Sequence, residues 1–192
     1  MTFAEMTWLN PPPTVTGGAD SLTVTTGANT DFWRETFYGF IRHSGHHLGH
    51  KVEGDFTARV TVTADYQALY DQAGLMLRVS DTHWIKAGIE HTDGQAVFST
   101  VVTNGHSDWA TLPLSFPASP ITLRLTRHGT AIRVDLQEPS GSWRMVRLAY
   151  LPDGPASMGP MACSPERAGF AATFSDYRCG PAIPPTLHEP HP

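Results

Sequence analysis

From Asp71 to Glu90 apolar and polar positions alternate in two short runs. Ala73, Leu75, Leu77 and Val79 interleave with Gln72, Gly74, Met76 and Arg78; Ile85, Ala87 and Ile89 interleave with Trp84, Lys86, Gly88 and Glu90. Side chains on a strand point alternately to opposite faces, so each run predicts a strand with one face committed to a core. Further along, Phe56, Ala58, Val60 and Val62 alternate with Thr57, Arg59, Thr61 and Thr63. Ile121, Leu123 and Leu125 alternate with Thr122, Arg124 and Thr126, and Ile132, Val134 and Leu136 with Arg133 and Asp135. Strands are predicted at 21–25, 32–41, 55–64, 73–79, 84–91, 96–103, 121–126, 131–136, 143–150, 158–163 and 169–177. Asp93-Gly94, Asn104-Gly105, His128-Gly129 and Ser140-Gly141 fall between such runs, where hairpin turns want positive φ.

One wet and one dry face per strand, with no convincing helix, predicts an all-β chain: a two-sheet antiparallel jelly-roll β-sandwich. The 17 Gly and 16 Pro suit many turns. A length of 192 residues suits one domain, expected at 1–180, followed by a Pro- and His-rich C-terminal tail, 181–192, with little to bury and expected to be poorly ordered. Phe56, Val60, Leu75, Leu77, Ile85, Ile89, Leu123, Leu125, Ile132, Val134 and Phe170 are the expected core.

Charge changes the picture mainly by exclusion. Thirteen Lys and Arg against 18 Asp and Glu leave a net charge of −5 with no basic stripe, which argues against nucleic acid and anionic membrane as partners. The N-terminus has no basic and apolar leader pattern, and no apolar run could span a bilayer, so a cytoplasmic protein is expected. That setting disfavours a disulfide between Cys163 and Cys179. If 158–163 and 169–177 formed a hairpin, the two thiols would also lie near its opposite ends, beyond disulfide reach.

The free face of 84–90 places Trp84, Lys86 and Glu90 in one row, ~6.6 Å apart for residues two apart. A sugar ring stacked on Trp84 could bond to Lys86 and Glu90, with Gln72 and Arg78 joining from the neighbouring strand. The competing expectation is a salt-bridged sheet face, Lys86 or Arg78 with Glu90. Asp71 at a strand start, Asp108-Trp109 in a turn, and Asp31 with Trp33 supply the acid-and-indole pairs that sugar sites use. An Asp at a strand start also often only caps its own turn.

Glycosidases need two carboxyls ~5–9.5 Å apart. Glu90 is the candidate catalytic acid, yet residue 88 is Gly and residue 86 is Lys, so Asp71 or Asp108 would have to supply the partner. The missing local pair argues against an enzyme. His43, His46, His47 and His50 are metal candidates by composition, but Gly45 and Gly49 oppose a helix and a strand splits the set by parity. Adventitious metal binding is expected of them, and no required metal or cofactor.

Several blocks carry a family resemblance: Thr30-Asp31-Phe32-Trp33, Tyr70-Asp71-Gln72-Ala73-Gly74-Leu75-Met76, Trp84-Ile85-Lys86-Ala87-Gly88-Ile89-Glu90, Ser107-Asp108-Trp109, and Gly159-Pro160-Met161-Ala162-Cys163-Ser164-Pro165-Glu166. They are similar, in order, to the signature blocks of the domain of unknown function 1349 family, also labelled regulation-of-enolase-like. The resemblance spans Trp8 to Arg178. It implies a concanavalin A-like jelly roll, a fold that hosts lectins, carbohydrate-binding modules and glycoside hydrolases, and it implies no particular reaction. Of the His-rich stretch, only Gly45-His46 matches the family pattern. The expected function is a non-catalytic module that binds a carbohydrate or polyol-like ligand on the concave sheet face. The alternatives are a sugar-active hydrolase using Glu90 with a distant Asp, and a regulatory protein-interaction module.

Overall fold

Alternation along the strands resolves into two stacked antiparallel sheets. The computed structural model describes residues 2–187. Strands are numbered in chain order. The front sheet runs β1 (Thr7–Leu9), β6 (His46–Val52), β15 (Ala156–Cys163), β8 (Gln72–Ser80), β9 (His83–Thr92), β10 (Gln95–Asn104) and β11 (His106–Leu112). The back sheet runs β14 (Trp143–Tyr150), β13 (Ala131–Gln137), β12 (Ile121–His128), β7 (Phe56–Ala64), β16 (Ala171–Gly180), β3 (Ser21–Thr25) and β2 (Thr14–Gly17). A separate short hairpin pairs β4 (Phe32–Arg34) with β5 (Ile41–His43). Among the described residues the only helical turn is Phe3–Glu5, and no helix is long and apolar enough to cross a membrane.

Every residue expected in the core is buried in one cluster between the sheets. Leu75 sits opposite Ala87 and Leu77 opposite Ile85, so the register keeps the apolar set on the inner face. Asp93 and Gly94 both take positive φ (51° and 76°), as a tight hairpin turn requires.

Three expectations change. The run 32–41 is not one strand: Glu35, Phe37 and Gly39 adopt left-handed φ (61°, 65° and 68°), and the chain folds back as β4 and β5. Asp108 and Trp109 lie within β11, not in a turn. The strands at 158–163 and 169–177 do not form a hairpin, because β15 joins the front sheet and β16 the back one. The cysteines are still both free, one in each sheet. Of the tail, Ile183 donates its N–H to Thr57 Oγ1 (2.9 Å), and the Thr186 carbonyl accepts from Arg133 (2.7 Å). Residues 188–192 lie outside the described residues.

The front sheet buries its outer face as well. Phe32 and Trp33 of β4 pack with Met76, Trp84, Val101, Met161 and Cys163 into a second apolar cluster. The β4–β5 hairpin therefore lies across the outer face as a strap. Arg34 pins it, donating its N–H to Ser107 Oγ (2.9 Å) and Nε–H to the Gly105 carbonyl (3.1 Å). Asn10 holds the other side through the carbonyls of His43 (2.5 Å) and Gly45 (2.9 Å).

Candidate functional site

Beside the strap, the outer face opens into a cavity of about 260 Å³. Its polar lining comes from strand parity: Gln72, Lys86 and Glu90 occupy outward positions on β8 and β9, with Gln72 directly opposite Glu90 and Met76 opposite Lys86. Gly74 and Gly88 face each other between them. A Cβ on either would run into the opposite strand's carbonyl oxygen, so the sheet can pass no side chain there.

Lys86 is buried, with only 4% exposed, and donates to Asp31 Oδ1 (2.8 Å) and Gln72 Oε1 (2.7 Å). Burial opposes its charge, but the Asp31 carboxylate, with Cys163 and Glu90 nearby, outweighs that and holds its pKa above the ordinary lysine range. Asp31 is set in place by the backbone: its Oδ1 accepts the Phe32 N–H (2.8 Å) and its own N–H donates to Ser44 Oγ (3.2 Å). Glu90 is 5% exposed. Its Oε2 accepts from Ser99 Oγ (2.5 Å) and the Trp109 indole N–H (3.1 Å). Burial pushes its pKa up, and Lys86, Ser99 and Trp109 offset this only in part.

The walls are aromatic. On the strap side, Tyr38 stacks on Phe40 (centroids 5.2 Å apart, 17° between planes) and meets Trp33 edge-on (5.8 Å). Opposite them, Tyr70 meets Trp109 edge-on (6.3 Å). The Tyr38 and Tyr70 hydroxyls share a hydrogen bond (3.0 Å) that joins the two walls. Arg42, stacked over Phe40 at 4.5 Å, and Glu166 complete the lining at its exposed rim.

The cavity thus brings together Gln72, Lys86, Glu90, Asp31, Trp33 and Trp109 of the residues expected at a site. Trp84 is excluded: its outward position is roofed by the strap, it is fully buried, and it meets Phe32 edge-on (6.0 Å). Arg78 lies at the far end of β8, paired with Asp81 and lining a separate depression beside His47 and His50. Asp71 is spent on structure. It accepts from the backbone N–H groups of Gln67 (3.1 Å) and Ala68 (3.0 Å) and from the Arg167 guanidinium (2.5 Å). Asp108 pairs with Arg147 (2.9 Å) outside the cavity. The carboxylates that share the cavity with Glu90 are instead Asp31 and Glu166.

The histidines disperse. His46 bonds the Asn10 carbonyl (2.7 Å) and accepts the Gly27 N–H (3.1 Å). His47 lies between the Pro160 carbonyl (3.2 Å) and Ser157 Oγ (3.0 Å), His50 meets the Tyr177 hydroxyl (2.7 Å), and His43 meets Arg34 (3.4 Å). Among the described residues no three His, Cys, Asp or Glu converge in a way that could hold a metal ion.

Comparison with known proteins places this geometry in a family. A Saccharomyces cerevisiae (strain ATCC 204508 / S288c) protein named Regulation of enolase protein 1 is 46% identical over 188 residues, covering 97% of this chain and 95% of that one. The crystal structure of a functionally unknown protein from Saccharomyces cerevisiae matches with a TM-score of 0.92 at 45% identity, covering 96% of this chain and 100% of that one. Xylan beta-1,4-xylosidase from Bacillus halodurans C-125 matches with a TM-score of 0.62 at 12% identity, over 83% of this chain and 32% of that one, a likeness of fold alone. The model of the family described as protein of unknown function (DUF1349) matches residues 8–182, and the chain belongs to that family.

Proposed function

We propose that the cavity binds a carbohydrate or similar polyol, and that the protein is a non-catalytic binding module of the cytoplasm. One observation carries this reading. Aromatic walls from Trp33, Tyr38, Phe40, Tyr70 and Trp109 enclose a floor of convergent hydrogen-bonding groups from Asp31, Gln72, Lys86 and Glu90. Sugars present exactly those two demands, since apolar C–H faces stack on rings while hydroxyls need paired donors and acceptors. Trp109 is 39% exposed and lines the cavity, so it is the available stacking surface. In a thermal-shift screen against a sugar panel, Trp109→Ala should abolish ligand protection while the variant stays folded. Protection that survives the substitution would remove Trp109 from the site.

A second reading is favoured by Glu90, whose pKa burial raises, beside the ion-paired Asp31 in the same cavity. A carboxyl whose pKa burial raises, sharing a cavity with a second carboxyl, is the pairing that glycosidases use. On this reading wild-type protein cleaves aryl glycosides, and Glu90→Gln lowers the rate ~10²-fold or more while binding persists. Absence of wild-type cleavage across the panel sinks it.

A regulatory protein partner, the role suggested by the yeast relative's name, would meet the exposed tip of the strap, where Phe37 is 93% and Ile41 42% exposed.

A further inference from the structure

We infer that the cavity accepts one neutral sugar ring, end-on, and discriminates against phosphorylated sugars and uronic acids; the inference rests on the polyol reading above.

Size sets the first part. At about 260 Å³ the cavity is small. That falls below the ~300 Å³ at which pockets for drug-sized ligands begin. The strap prevents a longer ligand from running along the sheet. Phe32 and Trp33 cover Met76 and Trp84 next to Lys86, and the Tyr38–Tyr70 hydrogen bond spans the walls. A chain could offer only its terminal unit.

Charge sets the second part. Lys86 is the buried cation of the lining, and Asp31 neutralises it at 2.8 Å. On the cavity floor Asp31, Glu90 and Gln72 each keep one side-chain atom without a protein partner among the described residues, namely Oδ2, Oε1 and Nε2. Two carboxyl oxygens and one amide suit a pair of hydroxyls and leave an anion no unpaired cation on the cavity floor. Arg42 is the remaining cation on the lining. It lies at the rim on Phe40, and the Glu166 carboxylate shares that rim.

Isothermal titration decides this. The probes are glucose, galactose, xylose, arabinose, glucose 6-phosphate, galactose 6-phosphate, glucuronic acid and galacturonic acid. The expected result is binding of at least one neutral sugar, with its anionic counterpart ~10-fold weaker or more. Asp31→Asn unpairs Lys86 and should narrow that gap. Equal or tighter binding of the anionic form by wild type overturns this inference and leaves the polyol reading standing. An unchanged gap in a folded Asp31→Asn variant also overturns it. If no sugar of either charge binds, the polyol reading falls and this inference falls with it. The wild-type comparison stands even if Asp31→Asn does not fold.

Discussion

Trp84→Ala is expected to cost ~3–5 kcal/mol of folding stability, the range for removing a large aromatic side chain from a packed core. Trp84 has no exposed surface and sits among Phe32, Met76, Val101, Met161 and Cys163. Its removal leaves a void under the strap and withdraws the contact that holds β4 on the sheet. The indole N–H has no partner and is buried, so Trp84→Phe deletes an unsatisfied donor along with part of the ring and should cost clearly less than Trp84→Ala. Urea denaturation checks both. A Trp84→Ala loss under ~1.5 kcal/mol would show that the second apolar cluster contributes little to the fold.

His47 alone should lower stability by ~3 kcal/mol as pH falls from 6.5 to about 4. Burial is the dominant cause and holds its folded pKa down at about 4, with the hydrogen bond to the Pro160 carbonyl opposing it. The unfolded chain binds the proton near 6.5, while the native state refuses it until about 4. Protonation across that window therefore favours the unfolded state. Stability is full above the unfolded pKa and declines as pH drops toward the folded one. His43, His46 and His50 are shifted in the same direction, each chiefly by burial, and reinforce the trend. Urea midpoints at neutral and mildly acidic pH test this: wild type should lose stability, and His47→Gln should show a shallower dependence. An identical dependence in both would clear His47.

Both results bear on what could be read from residues alone. Parity along β8 and β9 correctly sorted Leu75, Leu77, Ile85 and Ile89 inward and Gln72, Lys86 and Glu90 outward. Parity assigns a face but does not say what covers that face. Trp84 points outward with Lys86, yet one lies under the strap and the other beside a cavity. The strap was hard to foresee because 32–41 has aromatics on both parities and no alternation, and its fold-back depends on left-handed residues at Glu35 and Phe37 that carry no glycine signal. Asp31 was marked by its pairing with Trp33, but Tyr38, Arg42 and Tyr70 entered the site only through that fold-back and the loop before β8. For the fold-back itself, the hints in the sequence were the dense aromatics of Phe32, Trp33, Phe37, Tyr38 and Phe40 and the single glycine, Gly39. β6 escaped notice because His46, His47 and His50 are each sheltered by a specific partner, so burial there has no apolar pattern. Asp71 was noticed for its acid, but Arg167, distant in sequence, decided its role.

The strand order also carries a consequence for synthesis. β15 lies between β6 and β8, and β16 lies between β7 and β3. The last two strands therefore enter the middle of the two sheets rather than their margins. As the chain leaves the ribosome at ~5–20 residues per second, β6, β8, β7 and β3 each wait with an unpaired edge until 156–180 arrive. Unpaired edges are templates for foreign strands. A nascent chain stalled or cut before residue 156 would thus hold each sheet as two unjoined, aggregation-prone parts, and a chaperone is most needed over that interval.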